Sequence, residues 1–230
     1  MDDENLLTQL QHWARELDFQ QIGVSDIDVG QHAQYLQRWL QNGYHADMHW
    51  MQQHAALREH PEQLHTGALR VISVRMDYLS DQDSNLIAKV NADGGAYIAR
   101  YALGRDYHKW MRKRLALLAQ KIETQFPHKH RAVVDSAPVL ERAFAQKSGL
   151  GWIGKNTMLI NSQAGSYFFL GEILTDLPLP LTAPQETTHC GTCTACLDLC
   201  PTQAFVAPQQ LNASRCISYL TIELRGSIPL

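Results

Sequence analysis

The 230-residue sequence predicts an α/β domain of about 175 residues followed by a short cysteine-rich module. Two observations carry that expectation. Helical and strand periodicities alternate through residue 174, and all five cysteines lie beyond residue 189, four of them within Cys190–Cys200. Between the two parts, "TDLPLPLTAPQETTH" (175–189) has prolines at 178, 180 and 184 and reads as a linker. The expected boundaries are therefore 1–175, 176–189 and 190–230.

Leu6, Leu7, Leu10, Trp13, Ala14 and Leu17 recur at helical spacing, so 4–17 is an amphipathic helix. "QIGVSDI" (21–27) follows as a short strand, and a second helix covers 31–42, closed by Gly43. In "LRVISVRMDYL" (69–79), Val71, Ser73 and Arg75 alternate with Ile72, Val74 and Met76 in a strand rich in β-branched residues. "GAYIARYA" (95–102) reads as another strand or extended piece. "RDYHKWMRKRLALLAQKIETQF" (105–126) is the longest helix, ended by Pro127. "HRAVVDSAP" (130–138) is a strand broken at Pro138, which puts Asp135 at or just past its end. "VLERAFAQKSG" is then a helix stopped by Gly149. "NTMLIN" and "SYFFLGEIL" are two further strands, a candidate hairpin turning through "SQAG".

A hydrophobic content of 45% is that of a packed globule, and a net charge of −3 with a pI near 6.4 argues against a generally basic nucleic-acid binder, while leaving room for a local patch. The opening "MDDENLLTQL" has neither the basic nor the apolar region of a signal peptide, and no apolar run reaches the roughly 18 residues of a membrane span. The expectation is a cytoplasmic protein for which nothing demands more than a monomer.

The cysteines follow C-x2-C-x2-C-x3-C-P, the spacing of bacterial ferredoxins, in which three thiolates hold one [4Fe–4S] cube and the fourth reaches a second. Zinc knuckles are usually two separated pairs, and a secreted disulfide framework spreads its cysteines along the chain, so reduced thiols holding iron and sulfide are the better account. The ligand arithmetic leaves two alternatives. Two cubes need eight sulfurs, so either Cys216 closes a single cluster or three ligands lie beyond Leu230.

Two apparent fingerprints carry less. "GLGWIG" (149–154) matches G-x-G-x-x-G but follows a helix and leads toward a strand, the reverse of a dinucleotide site. "DYHKWM" (106–111) starts like D-x-H-x-x-G but has Met111 in place of the glycine, so His108 is not expected to ligate cobalt.

Together with the cysteine run and "RCISYLTIELRGSIP" (215–229), the stretches "ARYALGRDYHKWMRKRL", "VDSAPVLERAFAQKSGLGWIGKNTMLI" and "GSYFFLGEILTDLPL" closely resemble the epoxyqueuosine reductase family over nearly the whole chain. The resemblance implies an α/β (α+β) cobalamin-binding domain followed by a ferredoxin-like [4Fe–4S] module, here incomplete. It implies two clusters, Cys190, Cys193 and Cys196 belonging to the first and Cys200 and Cys216 to the second, with the ligand sets completed by a further cysteine motif after Leu230. The implied substrate is tRNA carrying epoxyqueuosine at the wobble position, and the implied electron donor is unidentified. Asp135 matches the family's proposed proton donor. Burial beside the corrin would favour its neutral form, since a free carboxyl is ionised at neutral pH. Capping the helix that starts near Val139, or turning the chain before Pro138, is the plainer job for such an Asp. Arg58, Lys155, Asn156, Thr157 and Phe169 match positions that face cobalamin, although Arg58 also reads as a surface arginine and Phe169 as core.

For tRNA, Lys109, Arg112, Lys113 and Arg114 form a basic run beside Tyr101, Tyr107 and Trp110, suited to phosphates and a flipped base, or else a solvated helix face. Two rival functions remain open at this level: a ferredoxin-like electron carrier and a cobalamin enzyme of the reductive dehalogenase type.

Overall fold

A computed structural model of the chain describes residues 3–79, 98–185 and 187–229. Helix α1 (Asp3–Glu16) buries Leu10, Trp13 and Ala14, the face its periodicity predicts, and strand β1 (Gln21–Asp26) follows. Helix α2 (Gln31–Gln41) ends at Gly43, whose φ of 67° suits glycine, as expected. Two short helices, α3 (His49–Gln53) and α4 (Ala55–Glu59), lead to β2 (Arg70–Asp77). Helix α5 (Tyr107–Gln125) starts at an Asp106 cap that accepts the His108 N–H at 3.0 Å, and it buries Met111, Leu115, Leu118, Ala119 and Ile122. Strand β3 (His130–Val133), helix α6 (Glu141–Lys147), the short strands β4 (Trp152–Ile153) and β5 (Leu159–Ile160) and the long β6 (Phe168–Thr175) complete the main body.

The main sheet has the order β1-β2-β6-β3 and is antiparallel throughout, which places the mixed fold on the α+β side. Register decides which face each residue serves. Val24, Ile72, Ile173 and Ala132 lie in one row, and Gly23, Ser73, Glu172 and Val133 in the next. The first face packs on α1 and α5 around Ile22, Val24, Ile72, Val74, Met76 and Ile173. The second carries Val71, Val133 and Leu174 under Phe144 and Val139. Each fully buried aliphatic side chain contributes about 1.5–3 kcal/mol by leaving water. Helix α5 sits close: a Cβ on Gly171 would lie 2.8 Å from a Leu115 methyl.

Three expectations change. The strand expected over 95–102 is in part a single 3-10 turn at Arg100–Ala102, because Gly104 (φ 93°) redirects the chain into the α5 cap; residues 95–97 lie outside the described residues. "SQAG" does turn, closed by reciprocal backbone bonds between Asn161 and Gly165, but its arms part company. β5 pairs with β4, while β6, buried from Gly171 to Thr175, enters the centre of the sheet where both faces are covered. Finally, α6 is capped at Leu140, so Asp135 does not cap it.

The proline-bearing stretch straps the outer edge of β1. Leu179 is buried in the core, Thr182 donates its backbone N–H to Val24 O, and the Thr182 hydroxyl accepts the Val24 N–H, both at 3.0 Å. Those bonds cover an otherwise open strand edge. The cysteine segment, with helix α7 (Ala195–Asp198) and the β7 (Phe205–Ala207)–β8 (Gln210–Leu211) hairpin, buries little beyond Ala204, Ala213 and Tyr219. It docks through Trp39 Nε1 to Leu211 O (2.6 Å), Ala213 N to Tyr44 O (2.8 Å) and Tyr219 OH to Asp47 Oδ2 (2.9 Å).

Candidate active site and cysteine loop

Asp135 stands two residues beyond the end of β3, as the strand pattern predicts, and its carboxylate is held from α5. The Tyr107 hydroxyl donates to Oδ2 at 2.5 Å and His108 Nε2 lies 3.0 Å from Oδ1. His108 Nδ1 in turn sits 2.7 Å from Asp106 Oδ1, so both ring nitrogens face carboxylate oxygens. The helix cap thereby does two jobs: it starts α5 and fixes the imidazole that meets Asp135. Burial, followed by the bond to Asp135 and its charge, pushes the Tyr107 hydroxyl up, so the phenol stays a donor.

Tyr107 stacks on Phe169 with ring centroids 3.8 Å apart and 10° between planes, and Phe169 meets Tyr78 at 4.7 Å. These rings separate two clefts. The larger, about 920 Å³, is lined by Tyr101, Trp110 and Phe169 and rimmed by Arg100, Arg105, Lys109 and Lys113. The smaller, about 180 Å³, brings Asp135 together with Glu141, Arg142, Met158 and Phe169. Of the basic run on α5, Lys109 and Lys113 face the large cleft. Arg112 instead donates to His108 O, and Arg114 pairs with Asp18 while lying 3.8 Å from the Trp110 ring.

Behind Asp135 lies an acidic interior that no local sequence signal announces. Glu172 is fully buried with neither carboxylate oxygen hydrogen-bonded, and burial, then the nearby Glu141 and Asp135 charges, hold it well above the usual carboxylate range. Burial likewise lifts Glu141 to about 7, with Asp135 adding to the rise and Arg142 opposing it. In sequence Glu172 is one polar residue of an apolar strand; only the register shows that its face lies under α6.

The Asp135 side chain itself is 39% accessible. The burial that the resemblance implies for it is thus not supplied by the chain alone, and a group filling the cleft would have to cover it.

The other residues singled out in the sequence separate into two groups. Phe169 is in the site. Thr157 (φ 66°) accepts from Arg142 Nη1 at 2.7 Å and immediately precedes Met158 and Leu159 of the small cleft. Asn156 Oδ1 accepts the Met158 N–H and shapes that turn. Lys155, next along, reaches the opposite way and donates to the carbonyls of Gly191 and Cys193, both at 2.8 Å. Arg58 is 5% exposed, donates to His54 O and lies over Trp50, so it is no surface arginine, and it lines neither cleft. Gly151 and Gly154 serve the β4–β5 hairpin, since a Cβ on Gly151 would fall 2.2 Å from Ile160 O.

All five cysteines are free thiols, and only Cys193 is exposed. The Ala204 N–H donates to Cys200 Sγ at 3.3 Å, and that bond, followed by lesser contributions, lowers the thiol. At Cys190 burial opposes ionisation, but the Lys155 N–H, the Trp152 indole and the Thr188 hydroxyl outweigh it. N–H groups aimed at sulfur on a C-x2-C-x2-C loop fit an iron–sulfur cluster, although among the described residues no three ligand side chains already converge.

Residues 58–136 match the family model for epoxyqueuosine reductase QueG, DUF1730, and residues 189–230 match the 4Fe-4S double cluster binding domain. The chain is 54% identical to a Pseudomonas aeruginosa epoxyqueuosine reductase over 230 residues, all of this chain and 63% of that protein. Its fold superposes with a TM-score of 0.82 on an epoxyqueuosine reductase crystallised with an epoxyqueuosine-modified tRNA-Tyr stem loop (29% identity; 99% of this chain, 60% of that one). A Bacillus subtilis epoxyqueuosine reductase, solved with its catalytic aspartate loop swung out of the active site, gives 0.81 at 28% identity, over 99% of this chain and 60% of that one. The chain thus spans about three fifths of the length of the relatives it matches. The likeness to epoxyqueuosine reductases runs from end to end of the chain's own sequence.

Proposed function

We propose that this chain provides the substrate cleft, the acid and part of the electron relay for reduction of epoxyqueuosine to queuosine at the wobble position of tRNA. The overall change is epoxide plus two electrons and two protons to alkene plus water. Cobalamin, when bound, supplies a reduced metal centre for cleaving the carbon–oxygen bonds, and [4Fe–4S] clusters on Cys190, Cys193 and Cys196 and on Cys200 and Cys216 supply single electrons. The lining supports the cofactor: the stacked Tyr107 and Phe169 rings, with Tyr78 tilted against Phe169, offer apolar surface for a corrin to pack on, and Thr157 and Asn156 shape the turn beside the cleft.

The observation that carries the reading is Asp135, held by Tyr107 and His108 at the mouth of an aromatic cleft. An epoxide oxygen leaving as alkoxide is a poor leaving group, and a positioned carboxyl can protonate it. Arg100, Arg105, Lys109 and Lys113 suit the phosphates flanking a flipped nucleoside, with Tyr101 and Trp110, each about 40% exposed, as stacking faces. A reaction on tRNA places the protein in the cytoplasm, and among the described residues no helix is long and apolar enough to cross a membrane. An electron carrier would need neither acid nor cleft. Titration with cob(II)alamin, followed by visible and EPR spectra, should show saturable binding weakened by Phe169→Ala; a folded protein that binds no corrin would overturn the reading.

A further inference from the structure

The geometry points to Lys155 and Trp152 as the residues that set the reduction potential of the cluster held by Cys190, Cys193 and Cys196. The inference rests on the cluster assignment proposed above. Lys155 leaves the turn that borders the Asp135 cleft and spans to the cysteine loop, where its ammonium grips the carbonyls of Gly191 and Cys193, both at 2.8 Å. This places one fixed positive charge among the first three thiolates, on a loop whose Gly191 adopts a φ of 45°.

The same hairpin supplies the second device. Trp152 is 8% exposed, and its indole N–H is buried without a hydrogen bond of normal geometry. The ring of His189, the residue before Cys190, packs edge-on against it at 4.7 Å, which brings the indole to the start of the cysteine loop. A buried donor with no oxygen to meet is costly unless a sulfur accepts it. The cysteine module closes on the hairpin from the other side: Gln209 donates its N–H to Lys155 O at 2.9 Å and its side-chain amide to Ile153 O at 2.8 Å. Lys155 is therefore clamped at both its backbone and its side chain, between the cleft and the thiolates.

A [4Fe–4S]2+ cluster that accepts one electron gains one negative charge and loses none. Hydrogen bonds to its sulfurs and a nearby cation favour the reduced form and raise its potential. Removing either feature lowers that potential while leaving the other cluster, on Cys200 and Cys216, where it was.

The test is an EPR-monitored redox titration, with dithionite as reductant, of anaerobically reconstituted protein that includes the further cysteine motif implied after Leu230, on wild type, Lys155→Met, Lys155→Arg and Trp152→Phe. Lys155→Met should need a poise lower by about one tenfold change in the reduced-to-oxidised ratio, ~59 mV for a one-electron couple. Lys155→Arg should restore most of it, and Trp152→Phe should give a smaller fall in the same cluster. Unmoved potentials in variants that assemble both clusters would overturn the inference alone. Wild-type protein that assembles no cluster would instead overturn the assignment beneath it. If Lys155→Met fails to assemble, Trp152→Phe decides.

Discussion

The Asp135 cleft and the cysteine loop are built in opposite ways. The cleft rests on packed elements: a four-stranded sheet buried on both faces carries β3 and β6, α5 is pinned against Gly171, and Asp135 has both its partners on α5. The cysteine loop has almost no core, and its thiols are held by turns, a few N–H donors and docking bonds from Trp39, Tyr44, Asp47 and Lys155. The contrast teaches that the Asp135 cleft rests on the packing of the sheet, whereas the cysteine segment, with little core of its own, would gain stability from any cluster it bound, since that binding energy becomes folding energy.

The sharpest way to break that contrast is to damage each region and ask what falls. Leu115→Ala, at the fully buried contact between α5 and β6, should cost about 2–5 kcal/mol in chemical denaturation. Cys190→Ser should leave the unfolding of the sheet domain within about 0.5 kcal/mol and show only as faster proteolysis of the segment after residue 189. Equal losses from the two variants would mean that the regions fold as one unit.

The acidic interior gives a pH signature confined to the cleft side. Glu141 is raised from 4.5 to about 7, so between those values the folded state binds more protons than the unfolded one and stability falls as pH rises, levelling off above 7. Glu141→Gln should remove about 1–2 kcal/mol of that fall, allowing for its half-buried position. The comparison is denaturant midpoints at pH 5 and pH 8; an unchanged slope would show that the carboxyl is ionised throughout. A smaller effect is expected from Tyr107→Phe, which deletes one donor to Asp135 and should slow turnover about tenfold at unchanged corrin affinity.

Much of this arrangement was legible in the sequence where one physical signal dominates. The apolar spacing of Leu10, Trp13 and Ala14 marks α1, and the rise to Asp135 before Pro138 locates the acid at a strand end. What escaped depends on contacts distant in sequence. "DYHKWM" drew attention to His108 as a failed metal motif; its meeting with Asp135, 27 residues on, needs the crossing of α5 over β3. Glu172 drew no notice within "SYFFLGEIL", because nothing local announces that β6 runs in the middle of the sheet. Lys155 and Asn156 adjoin in sequence but serve different regions, since a turn sends successive side chains apart.

In the proposed reaction Asp135 protonates the leaving oxygen in a cleft that binds corrin without its help. The measurement is single-turnover reduction of an epoxyqueuosine-bearing tRNA stem loop by reconstituted, cobalamin-loaded Asp135→Asn, with corrin binding followed in the same sample. Corrin affinity should stay at the wild-type level while turnover falls about 10²–10⁴-fold. Turnover at the wild-type rate would rule out Asp135 as the proton donor.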